Sequence, residues 1–414
     1  MSPFQVLRSV VRFRSPQWRP QARRLRRIAN VDDARRVARR QLPRGVFDYI
    51  DGAAESERTA RANIEAYARL RLNPRVLRNV ATVDTSTTLL GSTLRYPVVL
   101  APTGFTRIAH SSGELAVARA AARAGVAYSL ASMGTYSIEQ VAAVCDGPKW
   151  FQLYWWRDRG LTSELLRRAA ASGFEVLWLT VDTPVIGRRE RDVRRGFSIP
   201  PTIGPATMLD GIVHPGWTLD FLRHDPIVFA NVARTRATAD ATTDSSLADG
   251  SEPMEVAKLV MRQFDPSCSW SDLEWIKSRW SGPIVLKGIV TPADAERAVQ
   301  AGIAGVAVSN HGGRQLDDVG ASIARLEPVV EAVAGRAAVI ADGGVRRGSD
   351  VVKALALGAD ACSIGRPYLY GLAAAGERGV EHVLDLLGDG VSRTMALLGC
   401  TTVSEIDRDH VSWV

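Results

Sequence analysis

The string Ser309-Asn310-His311-Gly312-Gly313-Arg314-Gln315-Leu316-Asp317 sets an imidazole and a guanidinium three residues apart, with two glycines between them to clear space. An imidazole takes a proton near neutral pH, and a guanidinium holds a carboxylate through two parallel hydrogen bonds. The pair suits proton removal from a small carboxylic acid. Asp182 is a candidate to stabilise the imidazolium, and Lys287 offers a fixed positive charge where a bound group gains electrons. Two further stretches suit phosphate. Asp342-Gly343-Gly344-Val345-Arg346-Arg347-Gly348 combines glycines that admit close backbone N–H groups, arginine charge and a helix start, and Gly365-Arg366 offers a second copy. Either turn alone is as often just a tight turn; the two together point to a phosphate. The six histidines form no H-E-x-x-H group, and Cys145, Cys268, Cys362 and Cys400 form no C-x-x-C pair, so no metal site is expected and the thiols read as buried and reduced.

These residues need a frame that brings distant segments together. From Tyr96 onward a short apolar run, a polar turn and a helical pattern recur. The runs are Pro97 to Ala101, Ala127 to Ala131, Trp150 to Tyr154, Val176 to Val181, Ile284 to Leu286, Gly305 to Val308, Ala337 to Ala341 and Ala361 to Ile364. Eight runs of this kind, apolar on both faces, predict an α/β fold, a (β/α)8 TIM barrel. Such a barrel carries its site at the C-terminal strand ends, where this sequence places Thr103 and Gly104, Ser132, Gln152 with Tyr154, Thr180 with Asp182, Lys287, Ser309 to Arg314, Asp342 to Arg346, and Gly365 with Arg366. Hydrogen-bonding capacity or glycine at every end implies a large polar ligand.

About a hundred residues separate Val181 from Ile284, several times what one βα unit needs, so an insertion of about 195–265 follows strand four. Its first part, Pro200 to Asn231, holds Trp217, Phe221 and Phe229; its second, Ala233 to Pro253, is mostly Ala, Thr, Asp and Ser and is expected to be mobile. Ahead of the barrel a helix is predicted over Asp33 to Leu42, bounded by Pro43 and leading into Phe47-Asp48-Tyr49. The net charge of +8 is local: residues 1–44 hold thirteen arginines against Asp32 and Asp33, which leaves the rest of the chain slightly acidic, so no nucleic-acid partner is expected. Residues 1–30 read as a basic leader, either disordered or a flap, or, with Phe4, Leu7, Val10, Val11 and Phe13 among the arginines, a helix lying on an anionic membrane. Residues 31–414 form the barrel domain, and no stretch is apolar enough to span a bilayer.

From Val31 onward the sequence resembles the FMN-dependent L-2-hydroxy acid dehydrogenases and oxidases. The carriers are Phe47-Asp48-Tyr49, Ala101-Pro102-Thr103-Gly104, Phe151-Gln152-Leu153-Tyr154, Thr180-Val181-Asp182-Thr183-Pro184, Gly187-Arg188-Arg189-Glu190, Leu286-Lys287-Gly288, the Ser309 to Asp317 string, Asp342 to Gly348, and Gly365-Arg366-Pro367. The resemblance implies FMN as cofactor, His311 as base supported by Asp182, and Arg189 and Arg314 on the substrate carboxylate together with Tyr49. Tyr154 would meet the 2-hydroxyl. Around FMN it implies Ala101, Pro102, Thr103, Gln152, Thr180 and Lys287 at the ring, with Ser132 and Ser309 close by, Asp342 on the ribityl chain, and Gly343, Gly344, Arg346, Gly365 and Arg366 about the phosphate.

Against the plant glycolate oxidases, Ala131 replaces a serine, Met133 a tryptophan and Gly104 an alanine, which enlarges the pocket. Gly104 and the stretch Leu209-Asp210-Gly211 to Asp220-Phe221 are more similar to the membrane-associated mandelate and lactate dehydrogenases, whose insertion docks on the membrane. The reading that follows is oxidation of L-lactate to pyruvate, with a quinone, a cytochrome or oxygen as acceptor. A mandelate-type dehydrogenase, an oxygen-using oxidase and a flavin-binding scaffold without turnover stand as alternatives. A homotetramer is expected, in the cytoplasm and peripheral on the inner face of the cell membrane, with the basic leader sharing or replacing the insertion's docking role.

Overall fold

The computed structural model describes residues 20–195, 204–233, 258 and 261–414. Eight parallel strands close into a barrel: Val98–Leu100, Ala127–Ala131, Lys149–Tyr154, Val176–Thr180, Ile284–Ile289, Gly305–Val308, Ala338–Asp342 and Ala361–Ile364, the last pairing with the first. Each expected run is a strand: Ala127–Ala131, Gly305–Val308 and Ala361–Ile364 keep the expected bounds, and the other five differ by one to three residues at an end. The largest shift is in the fifth, which continues to Ile289 through an irregularity between Lys287 and Ile289. Gly288 permits it: φ is +120°, and a Cβ there would lie 2.6 Å from Asp182 Cβ. Strands four and five can therefore bring Asp182 and Lys287 together at the barrel mouth.

Alternation along the strands divides the apolar residues into two cores. Side chains such as Val99, Trp150, Trp178, Val285, Ala307 and Ile340 fill the barrel, whereas Val98, Leu100, Leu177 and Leu179 face the surrounding helices. Trp150 and Trp178 pack 5.8 Å apart, and below them a hairpin of Thr87–Leu89 and Ser92–Leu94 adds Leu89 and Leu94. Ser92 Oγ accepts from Trp150 Nε1 at 3.1 Å, which satisfies the buried indole.

A short helix over Pro20–Leu25, held by Arg24 on Ala374 O, precedes the expected one. That helix runs over Val31–Gln41, two residues ahead of the expected start, because Asn30 caps it by accepting from the Asp33 amide at 2.8 Å. Helix Arg44–Asp51 then carries Tyr49 over the mouth, and helix Arg58–Ala68 lies against the turns that follow strands six and seven. Strand Leu70–Leu72 pairs antiparallel with Val411–Trp413.

In the insertion, Pro205–Val213 and Pro215–Leu222 are helices, each with proline in its first turn, a position that spares a hydrogen bond. Trp217 Nε1 donates to Ile108 O at 2.8 Å and Asp220 accepts from the Ser111 amide and hydroxyl, which fastens the second helix to the loop after strand one. Residues 1–19 and 234–257, which hold most of the basic leader and of the Thr- and Asp-rich stretch, lie outside the described residues. Among the described residues no helix is long and apolar enough to cross a membrane.

Candidate active site

After Val308 the chain turns through Ser309 and Asn310 into His311, Gly312 and Gly313, all three with left-handed φ of +57°, +63° and +73°. A β-carbon on Gly313 would lie 2.7 Å from the Ala60 amide, so glycine is required where helix Arg58–Ala68 crosses the turn. Left-handed histidine costs about 1–3 kcal/mol, a strain typical of functional turns. It presents the imidazole with Nδ1 2.9 Å from Asp182 Oδ1. Asp182 is held below the ordinary carboxylate range: burial would raise it, but the charges of His311 and Lys287 prevail. A carboxylate there places the imidazole proton on Nδ1 and leaves Nε2 as the acceptor. Burial pushes His311 below the ordinary imidazole value, with Asp182 opposing.

Three guanidiniums surround this histidine. Arg314 stands over the Tyr49 ring at 5.2 Å and Arg189 over the same ring at 5.7 Å. Arg314 donates to Tyr49 O and Gly52 O at 2.7 and 2.9 Å, which fixes its fork against helix Arg44–Asp51. Burial, and then the neighbouring Arg189 charge, bring its pKa down to about 9. Arg366 donates to Ile50 O, Gly312 O and Gly52 O at 2.8 to 3.2 Å. It thus braces the His311 turn against the Tyr49 helix, a role its motif did not suggest. Gly187 is pressed to the Arg314 carbonyl, where a Cβ would lie 2.4 Å away, so Arg189 is delivered across the mouth by direct backbone contact. Tyr154 faces the same space, with Phe264 at 5.2 Å, and burial beside Asp182 raises its phenol.

The other half of the mouth is a polar cradle. Asp342 accepts from Ser309 Oγ at 2.6 Å and from Ser363 Oγ at 2.8 Å, and Lys287 Nζ lies 3.5 Å from its Oδ2. Gln152 Nε2 donates to Thr180 Oγ1 at 2.8 Å and its Oε1 accepts from the Ser132 amide at 3.3 Å. Ala101 O accepts from Tyr368 OH, which also bonds Thr103 Oγ1. Gly343 and Gly344 are left-handed, with φ of +103° and +85°. Ala101, Pro102, Thr103, Lys287, Asp342, Gly343, Gly344, Arg346, Gly365 and Arg366 line a cavity of about 200 Å³ together with Tyr49, Tyr154, Arg189, His311 and Arg314. Asp182, Ser132, Gln152, Thr180 and Ser309 stand behind the wall.

Two buried atoms in this cradle, Ser132 Oγ and Arg346 Nε, have no partner among the described residues. A buried polar group left unpaired costs about 1–3 kcal/mol, so a ligand bringing hydrogen-bonding edges and a phosphate fits better than an empty pocket. The residues present suit FMN.

Several contributors carry no motif. Asn63 Oδ1 accepts from Asn310 Nδ2, from the Ser322 amide and from Ser322 Oγ, while its Nδ2 donates to Asn310 Oδ1 at 2.8 Å. One amide in an ordinary amphipathic helix thus joins the turn after strand six to the segment before strand seven, and only its burial at 2% sets it apart. Asn63→Ala should lower stability by about 3 kcal/mol, because four hydrogen bonds to the buried Asn310 and Ser322 are lost; urea unfolding would measure this, and a change within about 0.5 kcal/mol would remove Asn63 from the frame. Asp192, one helical turn beyond Arg189, and Met261 and Phe264 at the far end of the insertion also escape a strand-end reading. Gly104 and Met133 meet at one wall, where a Cβ on Gly104 would lie 3.1 Å from Met133 Cβ.

A family model described as "FMN-dependent dehydrogenase" matches residues 38–413. The chain is 43% identical to the "Putative L-lactate dehydrogenase" of Mycobacterium tuberculosis over 98% of its own length and 94% of that protein's. It is 46% identical to the peroxisomal (S)-2-hydroxy-acid oxidase GLO4 of Oryza sativa subsp. japonica, over 92% of this chain and 95% of the relative. Among solved structures, the monotopic membrane protein (S)-mandelate dehydrogenase superposes with a TM-score of 0.87 at 38% identity, covering 94% of this chain and all of that one.

Proposed function

The chain belongs to the FMN-dependent 2-hydroxy acid dehydrogenase and oxidase family, and we propose that within it the protein oxidises L-lactate to pyruvate at a membrane surface and passes the electrons to a quinone. Oxidation of an L-2-hydroxy acid with FMN follows from membership. The observation that carries the residue assignment is the His311–Asp182 hydrogen bond beside two arginines that flank one tyrosine ring.

Bound FMN supplies the two-electron acceptor. Arg189 and Arg314 hold the carboxylate, with Tyr49 between them, and Tyr154 orients the 2-hydroxyl. His311 Nε2 accepts the substrate proton. Asp182, already hydrogen-bonded at Nδ1, stabilises the imidazolium that results, and the apolar wall of Met133, Met261 and Phe264 keeps water from the reacting carbon. A mandelate-type substrate is a second reading, favoured by Met133, Met261 and Phe264 in the lining, an apolar wall that suits an aromatic side chain. Anaerobic mixing with L-lactate, L-mandelate and glycolate separates them. The proposal expects flavin bleaching to be fastest with L-lactate; faster bleaching with mandelate moves the assignment to the second reading, and none with any of them ends both.

The membrane part rests on the two insertion helices. Met208, Leu209, Ile212, Val213, Leu219, Phe221 and Leu222 are 42 to 71% exposed, more contiguous apolar surface than a water-facing helix pair ordinarily shows. The neighbouring segment 20–27 carries exposed Arg23, Arg26 and Arg27, and its Arg24 and the insertion's Asp220 both act on His110. An apolar face with a basic margin suits an anionic bilayer. Removing two buried aliphatic side chains costs roughly 3 kcal/mol or more of transfer free energy. The double variant Leu209→Asp/Ile212→Asp is therefore expected to lose at least about a hundredfold in binding to vesicles with anionic lipid. Flotation at the parent level would discard this docking surface.

A further inference from the structure

The carboxylate site places Arg189 and Arg314 against one ring, and Arg366 lies close enough for its charge to act on Arg314. Arg314 and Arg366 spend donors on backbone carbonyls, whereas Arg189 Nε is buried with no partner among the described residues. The carboxylate within ion-pair reach of Arg189 is Asp192, in the short helix Glu190–Arg195 that begins just after it, with Oδ2 3.8 Å from Arg189 Nη1. That distance is longer than a hydrogen bond, and the side chain is only 14% exposed. Its second oxygen, Oδ1, is likewise buried and unpartnered among the described residues. Two opposite charges therefore face one another at partial separation, each with an unused polar atom. A purely structural ion pair would have closed that gap.

We propose that Asp192 is the resident counter-ion of the substrate carboxylate site: it balances Arg189 when no acid is bound, yields it to the incoming carboxylate, and recovers it as the 2-oxo acid leaves. The inference rests on the reading that Arg189 and Arg314 take the carboxylate. Asp192 touches neither substrate nor cofactor in this scheme; it is a positioning residue that sets how strongly the site holds an anion. Burial raises its carboxyl above the ordinary range while Arg189 and then Arg314 oppose, as expected of an anion whose partners are shared. Asp48 and Arg191 are the other charged groups that act on it.

The sign of the effect separates this role from mere support. If Asp192 only braced Arg189, removing its charge would loosen the arginine and weaken carboxylate binding. As a competing anion, its removal strengthens binding, because an effective interaction at about 4 Å in a partly buried site amounts to more than a tenfold change in affinity. Holoenzyme carrying Asp192→Asn, read by pyruvate and acetate perturbation of the flavin spectrum, is expected to bind both about tenfold more tightly. Its KM for L-lactate should fall and its kcat should fall with slower pyruvate release, while Asp192→Glu stays within a few-fold of the parent. Unchanged or weaker binding in Asp192→Asn overturns the proposal. Arg189→Met runs alongside: it should lose most carboxylate affinity, and if it does not, the carboxylate reading has failed rather than the counter-ion alone.

Discussion

His311→Ala is expected to slow reduction of the bound flavin by L-lactate about 10²–10⁴-fold, the usual worth of a placed general base, with FMN still bound. Retention follows from position. The imidazole bonds Asp182, whereas Asp342 is held by the Ser309 and Ser363 hydroxyls and the glycine turns keep their own backbone, so the cradle does not depend on the imidazole. Stopped-flow absorbance after anaerobic mixing measures the rate, and a variant reducing at the parent rate would sink the assignment. Asp182→Asn gives the accompanying pH result. The Asp182 charge favours the imidazolium, against the burial that lowers His311, so its removal lowers the histidine further. The acid limb of kcat/KM, where neutral His311 is lost, then moves to lower pH while the plateau falls, since the charge that stabilised the imidazolium is gone. A limb moving to higher pH would contradict the pairing.

Gly344→Ala is the second large effect, and it is steric. A Cβ there would stand 2.0 Å from Asn63 O and 2.9 Å from the Tyr67 ring, at φ of +85° where side chains are strained. Neither neighbour is a flexible side-chain end. Helix Arg58–Ala68 or the turn after strand seven must move, and both border the cradle. The expected outcome is loss of FMN, with affinity down at least about a hundredfold, as misplacing a site by an ångström does. Fluorescence titration of the apoprotein with FMN measures it; affinity within threefold of the parent would show that the turn tolerates displacement.

The barrel was legible because apolar runs bounded by glycine and polar turns recur at βα spacing, and because buried parallel strands leave no polar alternation to confuse them. Site residues on strand ends, such as Lys287 and Asp342, follow from that frame alone. Tyr49 and Arg189 do not: they enter from outside the barrel, and only a resemblance across several segments marked them. Asn63 and Asp192 were illegible for a further reason. Each acts through partners more than a hundred residues away or through the unpaired state of one oxygen, and neither leaves a pattern in residue type or period. The extra length of strand five likewise depended on Gly288 and Asp182 meeting across two strands.

The hairpin 87–94 closes the floor of the barrel beneath Trp150 and Trp178, so the cavity opens at the strands' C-terminal end. Among the described residues, this is the opening through which acid and 2-oxo acid would pass. If acid and oxidant both use this opening, an excess of either is expected to slow the entry of the other.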